Sequence, residues 1–249
     1  MRYFMDLSYD GTNYHGWQNQ PEAISVQSCI ENALSILIKA ETPIYGAGRT
    51  DSGVHAVKMY AHFDVSELIN THKLLYDLNS FLPKDISINN IYKVTLDSHA
   101  RFDALSREYE YKISLIKNVF NNNRSYYIKN NLDIKLMNDA CKILINYTNF
   151  KCFSKSKTDV KTYNCDLKYA KWKLNDNELI FTIKANRFLR NMVRAIVGTL
   201  IHVGLKKVSL LDFEKVIISQ DRTKAGPSAP AHALYLTNIS YPKEMILNE

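Results

Sequence analysis

The chain has 249 residues, 46% hydrophobic and 23% charged, which is enough apolar material for one large core or two small ones and too much for a mostly disordered chain. Lys and Arg number 32 against 25 Asp and Glu, a net charge of +7 that suits a polyanionic partner. No run approaches the roughly 18 apolar residues of a membrane span, and the opening segment Met1 to Gly11 has no apolar signal core, which points to a cytosolic chain.

Residues 2–9 alternate as a strand, and Asp10-Gly11-Thr12-Asn13 reads as a turn. Ser25 has the character of a helix N-cap, and Val26, Ile30, Ala33, Leu34, Leu37 and Ile38 follow at helical spacing. A short strand at 44–47 runs into the glycine-rich stretch Gly46 to Gly53. The next strand places Val57, Met59, Ala61, Phe63 and Val65 on one face and Lys58, Tyr60, His62 and Asp64 on the other. A helix is predicted over 71–81, broken by Pro83 and Asp85, with a strand at 86–94.

Further on, the pattern predicts a strand at 107–115, an Asn-rich loop at 118–131, and a helix holding Leu136, Ala140, Ile143 and Leu144. Strands follow near 167–174 and 179–184. A long helix is predicted over 188–203, ending at Gly204, then a helix at 209–218 and a last strand at 233–240. The whole reads as α+β, with a seam near 98–106 and no Pro/Gly/Ser linker. An N-terminal half, 1–103, and a C-terminal half, 104–249, are expected to pack about a cleft.

Charge divides unevenly between these halves. Residues 1–103 hold 8 Lys and Arg against 12 Asp and Glu, whereas 104–249 hold 24 against 13. Such asymmetry points to a nucleic-acid surface on the basic half. The four cysteines, Cys29, Cys141, Cys152 and Cys165, form no CxxC pair and have no metal-spaced histidines beside them, so they read as buried reduced thiols. His15, His55, His62 and His99 likewise lack a regular metal spacing.

Four segments could carry chemistry. In Gly48-Arg49-Thr50-Asp51-Ser52-Gly53-Val54-His55-Ala56, a loop aspartate beside a cation fits a nucleophile or an acid–base group, or else a plain turn. Its glycines do not follow the spacing of a dinucleotide or phosphate loop. In Ser106-Arg107-Glu108-Tyr109-Glu110-Tyr111, Arg107, Tyr109 and Tyr111 share one strand face, suited either to base stacking and phosphate contact or to the core. Arg187, Arg190 and Arg194 fall at i, i+3 and i+7, a stripe on the predicted helix that could face phosphates or neutralise a buried carboxylate. Between Lys151 and Lys173, seven lysines (Lys157 among them) interleave with Phe153, Tyr163, Tyr169 and Trp172, as suits an RNA surface or a solvated face.

Taken together, Tyr9-Asp10-Gly11-Thr12-Asn13-Tyr14-His15-Gly16-Trp17-Gln18, the Gly48 to Ala56 segment, His99-Ala100-Arg101-Phe102, Arg107 to Tyr111, Asn186 to Gly198 and Ala229-Pro230-Ala231 resemble the TruA family of tRNA pseudouridine synthases, in that family's order. The resemblance implies an α+β fold of two similar α/β-sandwich halves whose mainly antiparallel sheets join across a central RNA-binding cleft. It implies a homodimer acting on tRNA, not DNA or membrane, that turns uridine into pseudouridine in the anticodon stem-loop at nucleotides 38 to 40. No metal or organic cofactor is implied.

By the same resemblance, Asp51 is the catalytic carboxylate and Arg194 its basic partner. Tyr109 stacks on the uracil and helps remove its C5 proton, and Arg49 enters the space the base leaves. Arg107, Arg187, Arg190 and Lys157 are candidate substrate contacts. A non-catalytic RNA-binding module would use the same basic half but gains nothing from a carboxylate near phosphates. A DNA-binding regulator would need a helix-turn-helix or zinc motif that this sequence lacks.

Overall fold

The computed structural model describes residues 1–156 and 160–246. The chain divides into two compact units, one of Met1–Leu105 together with the segment from Tyr235 onward, the other of Ser106–Leu234. Both mix helices with mainly antiparallel strands.

In the first unit, β1 (Arg2–Tyr9) lies between β3 (His55–Asp64) and β4 (Ile86–Val94), antiparallel to both, with Met5 opposite Ala61 and Ile91. The two-residue β2 (Tyr45–Gly46) pairs with the far end of β3. Helix α1 (Val26–Ile38) starts at a capping box in which Ser25 and Ser28 exchange hydrogen bonds of 3.0 and 3.1 Å. Helix α2 (Thr71–Phe81) starts where Asn70 accepts the Lys73 N–H at 2.9 Å, and packs on β4. The helices bury Val26, Ile30, Ala33, Leu34, Leu74 and Leu78, and the strands bury Tyr3, Met5, Leu7, Met59, Ala61 and Phe63.

In the second unit, β5 (Ser106–Ser114) carries a short parallel strand, β6 (Tyr126–Tyr127), which falls inside the stretch 118–131 predicted as an Asn-rich loop. Helix α3 (Ile134–Ile145) packs against β7 (Leu167–Asn175), where the Asn138 side chain both donates to the Trp172 carbonyl and accepts its N–H, at 3.2 and 2.9 Å. Strand β8 (Glu178–Ala185) is antiparallel to β5 and β7, with Ile183 opposite Tyr109 and Ala170. Helices α4 (Met192–Gly204) and α5 (Leu210–Ser219) complete the unit.

The chain ends in β9 (Leu234–Ser240), whose Tyr235 and Leu236 pair in parallel with His55 and Ala56 of β3. This pairing gathers the residues after Leu234 into the first unit, whereas the sequence reading kept 104–249 together. Charge follows the spatial division closely, since Ser106–Leu234 holds 23 Lys and Arg against 11 Asp and Glu.

The helix predicted over 188–203 begins later, at Met192. Asn191 sits at φ 66°, a left-handed conformation that a helix cannot propagate through, and its side-chain amide donates to Ser228 Oγ at 2.7 Å. Arg187 and Arg190 therefore lie in the β8–α4 loop and only Arg194 is helical, so the three arginines do not form one helical stripe. The interleaved 151–173 segment also divides: Phe153 and Trp172 are core residues, while Tyr169 and Lys151, Lys155, Lys161, Lys168, Lys171 and Lys173 stay exposed. Lys157, a candidate substrate contact, lies outside the described residues.

On the second face of β3, His62 is only 2% exposed, stacks on Tyr45 at 5.1 Å and meets His99 edge-on at 4.6 Å. Its Nδ1 accepts the Ala100 N–H at 3.2 Å, while His99 Nδ1 accepts the Arg101 N–H at 3.0 Å. The His99-Ala100-Arg101-Phe102 motif is thus folded around two unprotonated ring nitrogens. Burial lowers the His62 pKa to about 4, with Arg2 and His99 adding to the effect against Asp64 and Asp103.

Because the folded pKa lies below the ordinary value near 6.5, the unfolded chain binds more protons between about pH 6.5 and pH 4. Stability is complete above pH 6.5 and falls as the pH drops through that window, by up to about 3 kcal/mol from His62. Melting curves from pH 7.5 to 4.5 should show His62→Gln losing less stability on acidification than the wild type. Equal acid slopes would contradict this account.

Candidate active site

The loop between β2 and β3 carries Arg49 and Asp51, and the Tyr9–Trp17 segment cradles it. Two anchors converge on Thr50, which is buried. Its hydroxyl meets the Tyr9 hydroxyl at 2.8 Å, and its carbonyl accepts the Trp17 N–H at 3.2 Å. Next to it, the Ser52 hydroxyl donates to the Tyr14 carbonyl at 3.1 Å, and the Val54 N–H closes the turn onto the Asp51 carbonyl at 3.2 Å.

Two glycines let these strands of chain touch. Gly16 has φ 91°, and a Cβ there would stand 2.5 Å from the Thr50 carbonyl oxygen. At Gly11 a Cβ would stand 2.0 Å from the Val54 carbonyl oxygen, while the Gly11 N–H donates to His55 Nδ1 at 3.1 Å. His55 is buried and stacks on Tyr235 at 4.6 Å.

The cradle itself is tied to the start of β4. Asp85 accepts from the Tyr14 hydroxyl and from the Asn13 side chain, the latter at 3.0 Å, and its carbonyl accepts the Asp10 N–H at 2.9 Å. Burial and the Asp85 carboxylate push the Tyr14 hydroxyl well above its usual range, so it stays a donor. The outcome is a half-buried Asp51 on a backbone fixed from both sides. Arg49 is exposed beside it, and the space above Gly48 is open. A carboxylate held this way suits attack on an electrophilic carbon or proton transfer at a bound substrate.

The second unit arranges the other candidates around the β8–α4 loop and the segment 225–231. Along one face of β5, Arg107 donates to the Asn186 carbonyl at 3.0 Å, and the Tyr109 ring stands edge-on to Phe188 at 5.2 Å. Tyr111 lies fully in the core, with its hydroxyl donating to the Pro230 carbonyl at 3.0 Å. The face thus passes from core at Tyr111 to half-buried surface at Tyr109, whose ring is braced by Phe188. Glu108 and Glu110 point to the other face, where Glu108 is paired across the strands with Lys184.

Arg194, in the first turn of α4, donates through Nε to the Ala229 carbonyl at 2.7 Å, and its own carbonyl accepts the Ala229 N–H at 2.9 Å. The Ala229-Pro230-Ala231 motif therefore orients a guanidinium while anchoring Tyr111. Gly198 makes room for this segment, since a Cβ there would stand 1.7 Å from the Pro227 carbonyl oxygen. Arg222 braces the same turn through the Gly226 carbonyl and Ser228 Oγ, both at 3.0 Å. Arg187 is half-buried and Arg190 exposed, its carbonyl accepting the Lys155 N–H at 3.0 Å. Among the described residues, no three His, Cys, Asp or Glu side chains converge as metal ligands.

Sequence reasoning gave no positioning role to Tyr9, Thr50, Tyr14, Asp85 or Arg222. Tyr9 and Thr50 stand 41 residues apart, and their bond gives an expected result. Tyr9→Phe and Thr50→Val should each lower kcat by about tenfold, the loss of one buried hydrogen bond. Thr50→Ser should retain activity. In a double-mutant cycle the combined variant should lose little more than either alone, since each removes the same bond. Additive losses would show that the bond does not position Asp51.

A family model described as tRNA pseudouridine synthase matches residues 7–103 and 140–242, which include Asp51 and Arg194. The chain is 51% identical over 246 residues to a tRNA pseudouridine synthase A from Bacteroides fragilis, covering 98% of each. It is 40% identical to one from Caldicellulosiruptor bescii and 39% to one from Bacillus licheniformis, covering at least 95% of each chain in both cases. No helix among the described residues is long and apolar enough to cross a membrane. With matches of this extent, the chain belongs to the tRNA pseudouridine synthase family.

Proposed function

We propose that this protein isomerises uridine to pseudouridine in the anticodon stem-loop of tRNA, at nucleotides 38 to 40, as a cytosolic homodimer that needs no cofactor. The observation that carries the reading is the Asp51 loop, a carboxylate on a backbone fixed by Tyr9, Tyr14, Gly16 and Trp17 in a chain of this family.

In this reading the C1′–N1 bond breaks while the uracil stays bound. Asp51 attacks C1′ or assists formation of a glycal, and either route needs an ionised carboxylate next to an anomeric carbon. The uracil turns, C5 bonds to C1′, the C5 proton leaves and N1 gains one, so the product is an isomer of the substrate. Tyr109 stacks on the uracil and assists removal of the C5 proton. Arg194 is the cationic partner of that carboxylate. Arg49 fills the space left by the extruded base, which offsets part of a cost of a few kcal/mol. Arg107, Arg187 and Arg190 hold backbone phosphates, with Lys157 as a further candidate.

The test is a set of tRNA transcripts carrying uridine at one of positions 38, 39 or 40 and cytidine at the other two. Pseudouridine mapped to the uridine-bearing position, and absent from the transcript with cytidine at all three, is the expected result. Modification elsewhere, or none, overturns the assignment.

A further inference from the structure

The Asn-rich loop between β5 and β6 takes no part in the site described above and falls between the two stretches that the family model matches. It is folded rather than open. Asn118 caps a 3-10 turn at Val119–Asn121, accepting the Phe120 N–H at 2.9 Å. The Arg124 and Ser125 N–H groups return to the Asn121 carbonyl at 3.0 and 3.2 Å. At its base, Ile113 pairs with Tyr126, the Ile128 N–H donates to the Ser114 carbonyl at 3.0 Å, and Ser125 is buried.

This knob presents two adjacent apolar side chains to water, with Phe120 86% exposed and Val119 72% exposed. An exposed phenylalanine on a turn of asparagines gives folding no return, so its use lies in a contact. The surrounding charge selects the partner. From Tyr111 to Leu132 the chain has Lys112, Lys117, Arg124 and Lys129 and no carboxylate. An exposed aromatic ring among cations and asparagine amides is the chemistry that takes an unstacked base between flanking phosphates.

We propose that the 116–124 knob is a second RNA contact, in which Phe120 stacks on an unpaired base of the tRNA while Lys117 and Arg124 hold adjacent phosphates. The proposal rests on tRNA as the substrate and concerns binding, not the chemical step.

The experiment titrates intact protein with an unmodified tRNA transcript and measures turnover of the same preparations. Phe120→Ala should raise Kd about tenfold, Phe120→Tyr should restore it, and turnover at saturating tRNA should match wild type. Lys117→Ala with Arg124→Ala should reduce the salt slope of binding by about one to two. Wild-type affinity in Phe120→Ala overturns the proposal. A changed sedimenting mass in Phe120→Ala with unchanged tRNA affinity also overturns it, by assigning the knob to contact between protein copies. These outcomes are read against a wild type that turns over; a wild type that binds tRNA without modifying it contradicts the substrate reading alone.

Discussion

Asp51→Asn is expected to lower turnover at least ~10³-fold, about 4 kcal/mol of barrier, while leaving tRNA affinity within a factor of about two. The Val54 bond to the Asp51 backbone carbonyl and the bonds of the Thr50 and Ser52 hydroxyls do not use the Asp51 carboxylate, so the amide leaves these three in place. What the substitution removes is a charged oxygen able to bond to C1′ or to take a proton beside it. In the proposed reading, binding is carried by cations elsewhere, and a neutral amide relieves repulsion with phosphate. Single-turnover rates under enzyme excess, paired with filter-binding Kd values, separate the two effects. A rate within tenfold of wild type would remove Asp51 from the chemistry.

Gly16→Ala is the second large effect expected. The added methyl would meet the Thr50 carbonyl at 2.5 Å and the Asp51 carbonyl carbon at 3.2 Å, on a residue whose φ of 91° already disfavours any side chain. Neither obstacle is the free end of a flexible side chain, so the backbone under Asp51 must shift. A displacement of about 1 Å at a reacting group costs roughly 10²-fold in rate. The expected result is a kcat lowered about 10²-fold with KM nearly unchanged, in a protein that still unfolds cooperatively. Gly48→Ala serves as the comparison, since a Cβ there meets nothing within 4 Å. Equal activity in the two variants would contradict the cradle.

Much of this architecture is legible in the sequence because it is local. Helix α2 occupies Thr71–Phe81 as predicted, with Asn70 capping and Pro83 just beyond its end. Strand β4 occupies Ile86–Val94, as its alternation indicates. Where the reading departs from the structure, a nonlocal contact decides. The apolar spacing from Phe188 onward is helical, yet Asn191 turns left-handed to reach Ser228, 37 residues away. Phe153 and Trp172 look like members of a basic surface because their neighbours are lysines, but their rings are in the core. The return of β9 to β3 is a parallel pairing between residues about 180 apart, with no local signal.

The candidate site shows the same division. Asp51, Arg49, Tyr109 and Arg194 stand out by residue type and by resemblance. The residues that hold them stand out only once the chain is folded. The Tyr9 to Gln18 motif is recognisable as a pattern, yet its work, fixing Thr50 and Ser52 from behind, depends on contacts 33 to 41 residues distant. Asp85 reads as part of a helix stop and instead receives Tyr14 and Asn13.

The central claim is that this chain breaks and remakes the glycosidic bond of a tRNA uridine through C5. Its most direct test is release of tritium to water from a tRNA transcript labelled at C5 of its uridines, with purified wild-type protein, EDTA present and no added cofactor. Release that stops at the number of modifiable anticodon-arm uridines is the expected result. Tight tRNA binding without release from any transcript bearing uridine at positions 38 to 40 would contradict it.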